Sequence, residues 1–199
     1  MRVTTVLALT TLGVANLSGQ QMPTREQQIA AATLVLPEAF RAGAAVQSIS
    51  ADAKITELRK GTSSMVCSII QPGSEDFLVY CLDRGWDAFF SRESQLEHEL
   101  SKNGKPADGA EFKAALQREI ESGRVKAPAY PAVGFAMRGS AKAFDWNTHT
   151  PSGEIKHWEM IQIPNATGAS LSLPSSKPAN GGLWVMAEGT PGAHIMVEH

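Results

Sequence analysis

Two apolar runs, each carrying one of the chain's two cysteines, constrain the fold more than any other feature of this 199-residue sequence. The runs, 65–70 and 77–82, flank the segment 71–76, whose proline, glycine and serine are typical of a turn. Cys67 and Cys81 lie equally far from the centre of that segment, so a hairpin would place them on facing strands. We therefore predict a Cys67–Cys81 disulfide, which would stabilise the fold by about 3 kcal/mol. A redox-active or metal-binding pair is the alternative, but the Cys-x-x-Cys spacing typical of such pairs is absent.

The amino terminus has the features of a secretory signal peptide. An arginine at position 2 is followed by an uncharged, mostly apolar run, 3–14, and then by small and polar residues. We predict a signal peptide at 1–20, cleaved within 16–21, and an exported domain at 21–199, periplasmic or extracellular. A buried N-terminal helix is the alternative. The apolar run is shorter than the roughly 20 residues of a membrane span, so we expect no span in the mature chain. An oxidising compartment favours the disulfide.

Hydrophobic periodicity predicts an α+β fold. Apolar residues recur at helical spacing across 86–100 and 112–120, and capping boxes at 24–27 and 108–111 mark two helix starts. We expect a single domain in which a mostly antiparallel sheet carries two central helices packed on it. A loop is expected at 170–182, and the predicted strands outside the cysteine hairpin are 44–49, 55–59, 133–137, 155–163, 183–187 and 193–197.

Three short segments stand out in the mature chain. They are Leu-Arg-Lys-Gly-Thr at 58–62, His-Trp-Glu-Met at 157–160 followed by Pro164, and Gly-Thr-Pro-Gly-Ala-His-Ile-Met at 189–196. In these segments the chain resembles a group of uncharacterised exported bacterial proteins. The resemblance implies export and brings no particular activity with it.

Histidine and methionine occur together in two of those segments, which indicates a possible copper site. Imidazole and thioether are ligands that suit copper, and an exported protein meets copper more readily than a cytosolic one. Because strand side chains alternate between faces, His194 and Met196 should share a face. His157 and Met160 should point to opposite faces, so only one of them can join directly. We take His194, Met196 and Met160 as the candidate metal ligands; the alternative is that they pack the core.

The remaining features favour binding over catalysis. The sequence has no Gly-x-Ser-x-Gly elbow and no phosphate-binding glycine loop. Its net charge of −2 gives no basic field for nucleic acid. Trp158 and Trp184, with His157, are candidate ligand-binding residues, since an indole can stack on a sugar or an apolar ligand. We expect a non-catalytic exported module that binds a small ligand or an envelope component; the alternatives are a periplasmic copper-handling protein and a hydrolase with His194 as base.

Overall fold

The computed structural model describes residues 22–101 and 109–198, and the predicted signal peptide lies outside them. The helices are α1 Arg25–Thr33, α2 Glu38–Arg41, α3 Arg84–Leu100, α4 Gly109–Glu121 and α5 Gly168–Leu171. The strands are β1 Ala45–Ile49, β2 Ile55–Arg59, β3 Met65–Ile70, β4 Asp76–Asp83, β5 Ala132–Ser140, β6 Phe144–Asp145, β7 Thr150–Pro151, β8 Ile155–Gln162, β9 Gly182–Met186 and β10 His194–Glu198.

Eight of these strands form one sheet, in the order β2-β1-β3-β4-β5-β8-β10-β9. Every neighbouring pair is antiparallel except β1 and β3, which are parallel. β2 turns back from β1 to form the edge, and the chain then crosses to place β3 on the other side of β1. The predicted α+β class and the mostly antiparallel sheet are confirmed.

One face of the sheet, which we call the α1 face, is covered by α1. Thr24 opens α1 with a capping box, and Ala31 and Ala32 pack without solvent exposure against the sheet. The Cys67–Cys81 disulfide lies beneath them and joins directly opposed residues of β3 and β4. The predicted disulfide is therefore present, and its sulfur atoms belong to the core.

The opposite face, which we call the α3 face, is covered by α3. Asp83 ends β4 and caps α3, since its side chain accepts a hydrogen bond from the backbone N–H of Gly85 at 3.0 Å. Trp86 is fully buried against this face, and its indole N–H donates to the carbonyl of Tyr130 at 3.1 Å. α4 packs against α3 through a separate cluster that includes Phe89 and Leu116. Among the described helices, none combines the length and the apolar composition that a membrane span requires.

Two sequence-based expectations differ from the structure in detail. Of the two central helices, α3 contacts β3 and β4, whereas α4 is held through α3. The predicted start of the loop at 170–182 is wrong, because α5 continues to Leu171. The Thr167 hydroxyl accepts from the backbone N–H of Ser170 at 3.1 Å, which opens this short helix in a stretch whose composition favours a loop.

Candidate ligand-binding site

A cleft, which we call the α3 cleft, lies between the C-terminal half of α3 and the sheet. It has two adjoining parts, of about 460 and 130 Å³, which share Leu78, Tyr80 and Ser94. In the larger part, Ile49, Ile70 and Leu78 contribute an aliphatic floor, while α3 contributes polar side chains. A cleft of several hundred Å³ lined largely by apolar side chains is the usual form of a small-molecule site.

The smaller part of the cleft is aromatic. Tyr80, Ala136 and Trp158 are directly opposed on β4, β5 and β8, so they form one line across the sheet. Because alanine stands between two large aromatic residues, the sheet has a depression at this point. Phe90 of α3 and Met160 of β8 complete its walls. Flat aromatic surfaces of this kind bind apolar ligands through extensive contact area.

A buried carboxylate lies under α3 beside the cleft. The Ser68 hydroxyl donates to Asp87 Oδ1 at 3.1 Å, and Gln47 Nε2 donates to both Asp87 carboxylate oxygens at 3.1 and 3.2 Å. Asp87 has no cation within ion-pair distance in the described residues. Burial raises the pKa of Asp87 to about 6, because removing the charged form from water outweighs the hydrogen bonds from Ser68 and Gln47.

Two hydroxyl groups near Asp87 have unused hydrogen-bonding capacity. The Tyr80 hydroxyl and Ser91 Oγ are buried and lack the geometry of a hydrogen bond to any described group. Burial, followed by the nearby Asp87 charge, raises the pKa of Tyr80 to about 12, so the phenol stays protonated and remains a donor. An unpaired buried hydroxyl costs about 1–3 kcal/mol. Both hydroxyl oxygens have almost no solvent exposure, so they belong to the buried polar group under α3 and not to the open surface of the cleft.

The three predicted ligand-binding residues lie in three different environments. Trp158 lines the α3 cleft. Trp184 is on the same face but is buried against Met160 and Met196, with the Lys177 ammonium 5.7 Å from its ring centre. His157 is on the α1 face, directly opposite Met137. The structure thus places one of the three at the cleft.

The three candidate metal ligands share the α3 face. Met196 of β10 is directly opposite Met160 of β8, and both are buried in one cluster. His194 lies two residues before Met196 and therefore on the same face. Since a carbonyl oxygen can only accept, the 2.8 Å contact between His194 Nδ1 and the Gly192 carbonyl places the ring proton on Nδ1. Burial lowers the pKa of His194, so the ring is neutral and Nε2 keeps a free lone pair.

A fully buried amide adjoins this group. Gln162 is directly opposite His194, and neither its Nε2 nor its Oε1 has a hydrogen-bond partner in the described residues. Gln162 is not among the candidate residues predicted from the sequence. The described residues contain no group of three or more histidine, cysteine, aspartate or glutamate side chains able to hold a metal, so any metal here would depend on the thioethers.

A hydrolase with His194 as base would need a carboxylate beside the ring, and neither Glu159 nor Asp145 lies there. Glu159 follows the alternation of β8 onto the α1 face, opposite Val197, whereas His194 is on the α3 face. Asp145 accepts from the backbone N–H groups of Asn147 and Thr148 at 2.8 and 3.2 Å. These hydrogen bonds lower the pKa of Asp145, and they hold its carboxylate within the β6–β7 turn.

A larger cavity of about 790 Å³, between the start of α3 and the segment 124–130, carries several cations. Two of these cations already form ion pairs with Glu119. Arg92 donates to it at 2.8 and 3.0 Å, and Arg124 forms an ion pair with it at 3.2 Å. We interpret this cavity as the surface of the α3–α4 junction, because its polar groups hold the two helices together.

No family model, curated protein or solved structure matches this chain. The functional assignment therefore depends on the geometry of the chain itself.

Proposed function

We propose that this chain is a non-catalytic exported module whose role is to bind a small, largely apolar ligand in the α3 cleft. The observation that carries the proposal is the cleft: an aliphatic floor continues into an aromatic depression, and both adjoin the same residues of β4. Burying apolar ligand surface there contributes about 25 cal/mol per Å². Ser94, Glu97 and His98 of α3 line the cleft and supply polar side chains that can fix the ligand's orientation.

The proposed export depends on the sequence features of 1–20 and is consistent with the disulfide. Disulfides such as Cys67–Cys81 persist in oxidising compartments, and they are rare in cytosolic proteins. We propose that 21–199 acts there as one exported domain, either on a free small molecule or on an envelope component that presents an apolar group.

Filling the cleft tests this proposal. Ser94 is exposed on α3 and lines both parts, so Ser94→Phe should occupy the ligand's volume without opening a cavity in the core. We expect the neutral fluorescent probe N-phenyl-1-naphthylamine to bind the purified protein, and its affinity to fall at least about tenfold in Ser94→Phe.

Ala114→Phe is the matched control, because Ala114 is an exposed position of α4 that does not line the cleft. It should bind the probe like the unaltered protein. Absence of probe binding, or equal affinity in the Ser94→Phe protein, would contradict the proposed function.

A second candidate function is Cu(I) binding, favoured by the juxtaposition of Met160, Met196 and His194. Two thioethers and one imidazole nitrogen form a soft ligand set suited to Cu(I). The hydrogen bond from His194 Nδ1 to Gly192 orients the ring, which is a common arrangement around metal-binding histidines.

Competition for Cu(I) against bicinchoninate tests this candidate. One Cu(I) per chain is expected, with loss in both Met196→Leu and His194→Gln. Met137→Leu is the matched control, since Met137 is also buried but lies on the α1 face, and Met-to-Leu changes preserve core volume. No copper binding, or the same loss in the control, would eliminate this candidate.

A further inference from the structure

The floor of the α3 cleft changes from aliphatic to cationic along a single line of residues. Successive register pairs on the α3 face join Ile49 to Ile70, Ile70 to Leu78, Leu78 to Arg138, and Arg138 to Lys156. We call this line the cross-strand row. Its first three members line the cleft, and its last two are exposed cations on β5 and β8.

The dimensions of the row match an extended chain with a polar end. Neighbouring strands are about 4.8 Å apart, so the four steps from Ile49 to Lys156 span about 19 Å. The first two steps are apolar, and the cations follow directly at the next two. An aliphatic chain lying along Ile49, Ile70 and Leu78 would therefore bring its terminal group to Arg138 and Lys156.

A carboxylate lies near each cation of the cationic end: Asp76 near Arg138, and Glu198, which already pairs with Lys177, near Lys156. Arg138 forms an ion pair with Asp76 at a separation of 3.9 Å, and both side chains are largely exposed. Exposed pairs of this kind contribute at most about 1 kcal/mol, so an incoming anion can compete for the guanidinium. The α3 side of the cleft carries one carboxylate, Glu97, and one imidazole, His98.

We infer that the ligand of the α3 cleft is an anionic amphiphile, with its aliphatic chain on Ile49, Ile70 and Leu78 and its carboxylate or phosphate between Arg138 and Lys156. This inference rests on the proposed function and specifies the class of ligand. Arginine recognises such oxyanions through paired N–H donors, and the adjacent lysine adds a second positive charge.

Four decyl compounds that share one chain and differ in the head group test the inference. They are decanoate, decyl phosphate, decanol and decyltrimethylammonium, each titrated calorimetrically below its micelle concentration into the purified, disulfide-intact protein. We expect at least one of the two anions to bind about tenfold or more tightly than decanol, because two charge-assisted contacts are gained. The tighter-binding anion distinguishes a carboxylate head group from a phosphate.

Charge-removing variants locate the effect. The preference for an anion should disappear in the double variant Arg138→Gln/Lys156→Gln and persist in Lys113→Gln/Arg118→Gln, which removes two exposed cations from α4. Equal binding of decanol or tighter binding of decyltrimethylammonium would overturn the inference. Survival of the preference in the Arg138/Lys156 variant would also overturn it.

The same titrations separate failure of this inference from failure of the proposed function. If decanol binds and Ser94→Phe abolishes its binding, but charge has no effect, the cleft is a ligand site and the anionic head group is wrong. If none of the four compounds binds, the proposed function itself fails.

Discussion

Replacing Asp87 with asparagine isolates the free-energy cost of one buried charge beneath α3. Asp87 is 6% exposed, and burial raises its pKa to about 6 from the ordinary value of 3.8. That difference corresponds to about 3 kcal/mol, an upper bound because water and local relaxation reduce it. The amide of asparagine keeps one oxygen to accept from Ser68 and Gln47 but carries no charge.

The sign of the pH dependence follows from the raised pKa. Below pH 3.8 the carboxyl is neutral in both the folded and the unfolded chain, and the stability it contributes is fully present. As the pH rises through 6, the folded protein must hold a buried anion, so that stability is lost. The free energy of unfolding of Asp87→Asn, minus that of the unaltered protein, should therefore increase by up to about 3 kcal/mol between pH 3.5 and pH 7.

Urea unfolding followed by far-UV circular dichroism at a series of pH values measures this difference. Glu93 of α3 also has a raised pKa, of about 7, because of burial and then the neighbouring Glu97. Its contribution is common to both proteins and cancels in the difference. A difference that stays constant from pH 3.5 to pH 7 would refute the assignment of an uncompensated charge to Asp87.

Two further changes test the core. Cys67→Ala/Cys81→Ala should lower the free energy of unfolding by about 3 kcal/mol in urea titrations, because the unfolded chain loses its cross-link; stability equal to that of the disulfide-bonded protein would contradict this. Gln162→Met should raise the free energy of unfolding by about 1–2 kcal/mol, since it replaces a fully buried amide that has no hydrogen-bond partner with an apolar side chain of similar length. A loss of stability in Gln162→Met would show instead that the amide is satisfied in solution.

Local features of the fold were predictable from the sequence because short-range chemistry determines them. The turn residues between the two cysteine-bearing runs fix the β3–β4 hairpin, and its register places Cys67 opposite Cys81. Strand alternation likewise predicted that His194 and Met196 share a face. That Met160 joins them, rather than His157, depends on the register between β8 and β10, because a one-residue slip would reverse the faces.

The α3 cleft was not predictable, because its parts come from distant positions in the chain. Tyr80, Ala136 and Trp158 lie on three strands, and only their register brings the small residue between the two aromatic ones. The depression also requires α3 to cross the sheet at the right height, which long-range packing decides. Trp158 was identified from its residue type alone, and Tyr80 was missed because its sequence environment is that of an ordinary buried strand.

The most direct test of ligand binding in the α3 cleft is the chemical shift of the tryptophan indole N–H groups during titration with decanol. Trp158 lines the cleft, whereas Trp146 packs against Phe77 and Phe144 beside the α1 face. A saturating shift of the Trp158 resonance, with the Trp146 resonance unchanged, is the result that our account predicts. No saturating shift at Trp158, or a saturating shift at Trp146 alone, would contradict it.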